Sequence, residues 1–319
     1  MPLDAPSQVD LLRALEPVVE ENLERHMSVA KEWFPHEYVP WSEGRTFDGV
    51  LGGEAWTPEQ SGLSEVARTS LIVNLLTEDN LPSYHHEIAT IFGRDGAWGT
   101  WVHRWTAEEG RHATAIRDYL LVTRAVDPIA LERARMTHMD AGFISDNSED
   151  LLRSLAYVSF QELATRISHR NTGRFSDDPV CDQLLARIAL DENLHMLFYR
   201  NLLGAALELS PDATMRAIVD VVKSFQMPGY TIENFTRKSV QIALAGIYDL
   251  RIHADDVVAP VLRAWKVWDF EGLGAEGEQA RDELAAVLAQ LDSAASRFEE
   301  KRDKQRERQA ARGMSVAAL

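Results

Sequence analysis

Two segments of this chain place a glutamate three residues before a histidine: Glu109-Gly110-Arg111-His112 and Glu192-Asn193-Leu194-His195. Each lies in a stretch whose apolar spacing predicts a helix, where positions i and i+3 share one face. A further glutamate on an apolar helical stripe precedes each pair, Glu78 by 31 positions before Glu109 and Glu162 by 30 before Glu192. Four carboxylates and two imidazoles facing inward from four helices are the ligand set of a bundle that holds two metal ions. Burying that much negative charge without compensation is prohibitive. Two divalent cations balance four carboxylates and leave the imidazoles to bind as neutral ligands. One imidazole per metal among oxygen donors favours iron or manganese over zinc or copper.

The rest of the chain fits an all-α fold. Helical spacing predicts segments at about 5–26, 61–92, 97–124, 128 onward, up to about 171, 177–209, 212–225, 231–247, 249–265 and 275–312, with no strand alternation. Pro17 and Pro82 are expected to kink or break their helices, Gly173 to stop one, and Met227-Pro228-Gly229 to separate two others. Residues 27–60 mix Trp33, Phe34, Tyr38, Trp41, Phe47 and Trp56 with glycine and proline, as an aromatic arm wrapping a helical body would. One domain spans 1–319: helix and arm over 1–60, the metal-binding bundle over 61–210, and further helices over 211–319. Their last helix ends in a basic, solvated tail from Lys301 to Arg312.

Composition narrows the function. A net charge of −17 argues against nucleic acid as a partner. No apolar run reaches the length of a membrane span, and the first residues carry no leader pattern, so a cytoplasmic protein is expected. Cys181, the single cysteine, is expected to be a small buried residue.

The flanking residues resemble the soluble acyl-acyl-carrier-protein desaturases, the plant stearoyl-type enzymes and their actinobacterial relatives. The resemblance lies in Leu76-Thr77-Glu78-Asp79-Asn80-Leu81-Pro82-Ser83-Tyr84, Trp105-Thr106-Ala107-Glu108-Glu109 with Arg111-His112, Phe160-Gln161-Glu162 with Ala164-Thr165 and Ile167-Ser168-His169, and Asp191-Glu192 with His195. It runs from about Glu32 to about Pro228. The arm, with Trp41-Ser42-Glu43-Gly44-Arg45, is most similar to the actinobacterial branch.

The resemblance implies a ferritin-like four-helix bundle with flanking helices. It also implies an oxidoreductase that uses O2, two Fe(II) ions and external electrons to insert a cis double bond into a carrier-bound acyl chain. Glu78, Glu109, His112, Glu162, Glu192 and His195 would be the metal ligands, with Glu109 and Glu192 bridging. Thr165 would stand at the oxygen site, Trp33, Asp191 and His112 would form an electron route, and Trp105 would lie behind the ligands. Leu155 and Glu87 are expected at the substrate cavity; Glu87 is a charge where the plant members carry an apolar residue. Expected partners are acyl-carrier protein, a ferredoxin-type donor and a second copy of the chain, with Lys31 and Lys223 as carrier contacts. Two other functions share the metal set: hydroxylation of a carrier-bound chain, and iron binding without turnover.

Overall fold

The computed structural model describes residues 7–144 and 150–311. The first two residues of the expected opening helix (5 and 6) and Arg312 lie outside them. Among the described residues there is no β-strand, only an isolated bridge between Phe47 and Glu54. Among the described residues no helix is long and apolar enough to cross a membrane.

Helix α1 (Gln8–Val29) starts at Ser7, whose hydroxyl accepts from the Asp10 amide while Asp10 accepts from Ser7 in return. It continues unbroken past Pro17. Leu11, Leu15 and Val19 are buried, and α1 lies against two bundle helices, so packing outweighs the lost backbone bond. The expected 61–92 segment is two helices, α2 (Glu65–Asp79) and α3 (Leu81–Phe92), hinged at Asn80. Pro82 therefore sits in the first turn of α3, where the missing N–H had no helical partner anyway.

The bundle is completed by α4 (Gly96–Val122), α6 (Leu151–Phe175) and α7 (Pro179–Leu209), with α5 (Pro128–Ala141) flanking α2. Asp127, Asp150 and Asp178 cap α5, α6 and α7 by accepting hydrogen bonds from first-turn amides. Gly173 does not stop α6. A Cβ there would lie 3.0–3.3 Å from Asp182 and Leu185 of α7, so this glycine lets two helices touch. The chain reverses two residues beyond the helix end, at Asp177, with a φ of 55°. Gly173→Leu should destabilise the protein by about 1–3 kcal/mol through overpacking, read as a lower urea midpoint at unchanged slope.

Two antiparallel registers set the interior. On one side Ser70 bonds Thr172, Asn74 bonds His169, and Glu78 bonds His169. On the other, Trp101 stacks on Phe198 with 3.6 Å between centroids, Glu108 meets His195, and His112 meets Asp191. The arm does wrap this body. Arg124, at the end of α4 and 2% exposed, donates to Gln60 Oε1 and to the Glu54 and Ala55 carbonyls, and lies over the Phe47 ring.

Beyond the bundle come α8 (Pro211–Ser224), α9 (Phe235–Ala245), the short α10 (Leu250–Ile252), a π-helical segment His253–Val258, α11 (Ala259–Ala264) and the long α12 (Ala275–Ala311). The expected 231–247 helix begins late, after Asn234 adopts a φ of 57°. The basic end of α12 is not wholly solvated. Arg302 pairs with Asp249 at 2.8 Å and Arg306 donates to the Leu244 carbonyl, tying the tail to α9 and α10.

Candidate metal centre

Glu78 in the last turn of α2, Glu109 and His112 in α4, Glu162 in α6, and Glu192 and His195 in α7 converge at the middle of the bundle, all buried. They form two overlapping groups: Glu78, Glu109, His112 and Glu192, then Glu109, Glu162, Glu192 and His195. Within each group, one ligand atom per residue lies within 4.8 Å of the others. Glu109 and Glu192 belong to both groups. His112 Nδ1 lies 3.3 Å from Glu109 and 3.6 Å from both Glu78 and Glu192. His195 Nδ1 lies 2.7 Å from Glu109, 3.5 Å from Glu162 and 3.7 Å from Glu192.

The donor set fits two cations. Glu109 Oε1, Glu162 Oε2, Glu192 Oε2 and both Nδ1 atoms are buried without a hydrogen-bond partner among the described residues, and all face the same space. Burial, reinforced by the charge of Glu192, pushes Glu162 up to about 8. Carboxylates packed this tightly resist sharing full negative charge unless cations join them.

Both histidines are held from behind, each by an acid on the opposite helix. His112 Nε2 lies 3.5 Å from Asp191 of α7, and His195 Nε2 bonds Glu108 of α4 at 2.9 Å. Such contacts fix ring orientation and present Nδ1 inward. Asp191 also accepts from Trp33 Nε1 at 2.7 Å and pairs with Arg111 and Arg187. Burial raises its carboxyl, but the hydrogen bond and charge of His112, with the Trp33 bond, bring it down to about 2. Glu108 accepts from His26 of α1 at 2.9 Å and pairs with Arg104. Trp33, Asp191 and His112 are thus in line, mirrored by His26, Glu108 and His195. The second line is not among the residues expected from the sequence. Its signal was present, since Glu108 stands directly before Glu109 as Asp191 stands before Glu192. His169, quoted within a motif but given no role, bonds Glu78 at 2.9 Å.

Trp105 Nε1 donates to Glu162 Oε1 at 3.0 Å. Thr165 donates to the Glu162 and Gln161 carbonyls and lines a cavity together with Glu78, Glu109 and Glu162. Glu87 lines the same cavity. Leu155 instead lies in the apolar core, and Ser154, Tyr157 and Val158 form that stretch of the wall. Cys181 is fully buried, as expected. Lys31 is exposed beyond α1, whereas Lys223 pairs with Glu283 of α12 at 3.1 Å, so its charge is already matched.

The family described as fatty acid desaturase matches residues 7–316. The chain belongs to the fatty acid desaturase family. It is 51% identical over 319 residues to DesA1 of Mycobacterium tuberculosis, a protein whose name describes it as an acyl-[acyl-carrier-protein] desaturase. That match covers 98% of this chain and 94% of DesA1. A chloroplastic stearoyl-[acyl-carrier-protein] 9-desaturase of Gossypium hirsutum is 29% identical, covering 93% of this chain and 78% of its own. The X-ray structure of DesA2 from Mycobacterium tuberculosis aligns with a TM-score of 0.68 at 33% identity, covering 80% of this chain and 94% of that one. This desaturase is therefore an oxidoreductase with a helical, ferritin-like fold, and its buried Glu/His cluster is compatible with a di-iron site.

Proposed function

We propose that this desaturase inserts a cis double bond into a saturated acyl chain presented on acyl-carrier protein, using O2 and two external electrons. The observation that carries this is the pair of overlapping donor groups, sharing Glu109 and Glu192, that opens on the cavity lined by Thr165. Glu78, Glu109, His112, Glu162, Glu192 and His195 would hold two iron ions. When bound, these ions would activate O2, the oxidant that removing hydrogen from an unactivated C–H bond requires.

The protein supplies the surroundings. Leu81, Ile88, Trp105 and Val158 make the cavity wall apolar near the site, so a hydrocarbon can lie against it and exclude water. The Thr165 hydroxyl, one turn from Glu162, would hold or pass a proton at the oxygen side of the site. Asp191 and Glu108 keep both imidazoles oriented, and Trp33 would join Asp191 and His112 as the route for electrons from a ferredoxin-type donor. Acyl-carrier protein would dock by local rather than net charge, with Lys31 more available than the paired Lys223. A cytoplasmic C2 homodimer with α2 near its interface completes the proposal.

The test is mass analysis of acyl chains on carrier protein after incubation with ferredoxin, its reductase and O2. Loss of two hydrogens is the expected product. Gain of one oxygen would instead make the protein a hydroxylase, and unchanged chains at every length would sink both.

A further inference from the structure

The hairpin of α3 and α4 carries three histidines that the metal centre does not use, His85 and His86 on α3 and His103 on α4. Residues 93–95 alone separate the two helices, which therefore run back along each other. The rings of His85 and His103 meet across the hairpin, with 5.9 Å between centroids and a tilt of 36°. His103 is exposed and His85 half-buried, so the pair stands at the surface.

The hydrogen bonds of His85 fix it in the form that binds a metal. Thr106 Oγ1 lies 2.7 Å from His85 Nδ1 and 2.8 Å from the Val102 carbonyl oxygen. A carbonyl only accepts, so the single hydroxyl proton of Thr106 goes to Val102, and the hydroxyl oxygen accepts from His85 Nδ1. The neutral ring thus carries its proton on Nδ1 and leaves Nε2 as a bare lone pair. A bond from the far nitrogen to a group behind the ring is how proteins aim a metal-binding imidazole. Burial, and after it the charges of His103, Arg94 and His86, hold His85 below the usual histidine range, which keeps the ring neutral near pH 7.

We propose that His85 and His103 form a second metal site, a surface clip between α3 and α4 for a divalent cation that prefers nitrogen donors, Zn2+ above all. Two imidazoles bound through ring nitrogens at ~2.1 Å to one zinc ion hold their centroids about 5–6 Å apart, so the observed pair needs little rearrangement. Among the described residues no third histidine, cysteine or carboxylate joins them, so water fills the other positions and the ion stays exchangeable. A set without carboxylates disfavours Mg2+ and Mn2+ and separates this site from the carboxylate-rich centre in the bundle. Arg94 opposes a cation here, but it is exposed and its charge is screened by salt. His85 and Thr106 directly follow Tyr84 and Trp105, which line the cavity beside the centre, so the ion would fasten the two helices just behind that wall.

The site is independent of the reaction proposed above, and its test needs no turnover. Zn2+ titrated anaerobically into the iron-loaded protein, followed by calorimetry, should bind at one site per chain while elemental analysis finds the iron content unchanged. His85→Gln and His103→Gln should each weaken that zinc at least about tenfold. Thr106→Val, which removes only the group behind His85, should cost less, and His86→Gln, which keeps the pair, should cost nothing. Mg2+ at the same concentration should not compete. Zinc should also raise the thermal midpoint of the iron-loaded wild type and leave that of His103→Gln unmoved. His103 is exposed, so its variant keeps the fold, and an unchanged iron content checks this. Zinc bound equally by wild type and His103→Gln, or taken up only in exchange for iron, overturns the inference.

Discussion

Loaded anaerobically with Fe(II), the wild-type protein should bind two irons per chain, and Glu109→Ala should lose both. Glu109 belongs to both donor groups, with one oxygen 3.3 Å from His112 Nδ1 and the other 2.7 Å from His195 Nδ1. Its removal takes a ligand from each metal and a negative charge from between them. His195→Ala, which touches one group only, should weaken the iron held by that group at least about 100-fold in affinity, because losing a ligand exceeds losing a group behind one. Iron analysis after gel filtration gives the stoichiometry. Thermal unfolding gives a second readout: iron should raise the wild-type midpoint and leave that of Glu109→Ala nearly unmoved. One iron per wild-type chain, or two retained in both variants, would exclude the dinuclear assignment.

The second large effect concerns the acids behind the histidines. Asp191→Asn should weaken the iron held through His112, and Glu108→Gln the iron held through His195, each by about 10- to 100-fold. The geometry assigns them crosswise, since Asp191 stands on the helix of His195 and Glu108 on the helix of His112. A titration resolving two binding steps should therefore lose the same step in Glu108→Gln as in His195→Ala. Asp191→Asn should also leave the buried Arg187 without a charged partner among the described residues, costing about 3–5 kcal/mol of stability by analogy with other broken buried pairs. Equal weakening of both steps by each variant would contradict the crosswise arrangement.

The places where sequence and structure part share a cause. Helical periodicity located every bundle helix, yet Pro17 does not break α1, Gly173 fails to end α6, and the break after Glu78 falls at Asn80. Proline and glycine act on the chain locally, whereas burial of Leu15 and Val19, or the close approach of α6 to α7, acts across it. The basic tail shows the same thing. Its charges read as solvated until α9 and α10 bring Leu244 and Asp249 beneath Arg306 and Arg302.

The sequence alone determined that six ligating side chains exist at helical spacing, because i and i+3 share a face whatever surrounds them. It also determined the family, through residues adjacent to those ligands. Only the tertiary structure decided what stands behind the ligands. His26 is 82 residues from Glu108 in the chain, and Trp33 is 158 from Asp191, so no local pattern links them. It alone decided that Glu87 lines a cavity with Tyr84 and Tyr157 while Leu155 packs into the core. Periodicity tells which face of a helix turns inward. Whether that inward face meets a neighbour or a cavity depends on the helix opposite.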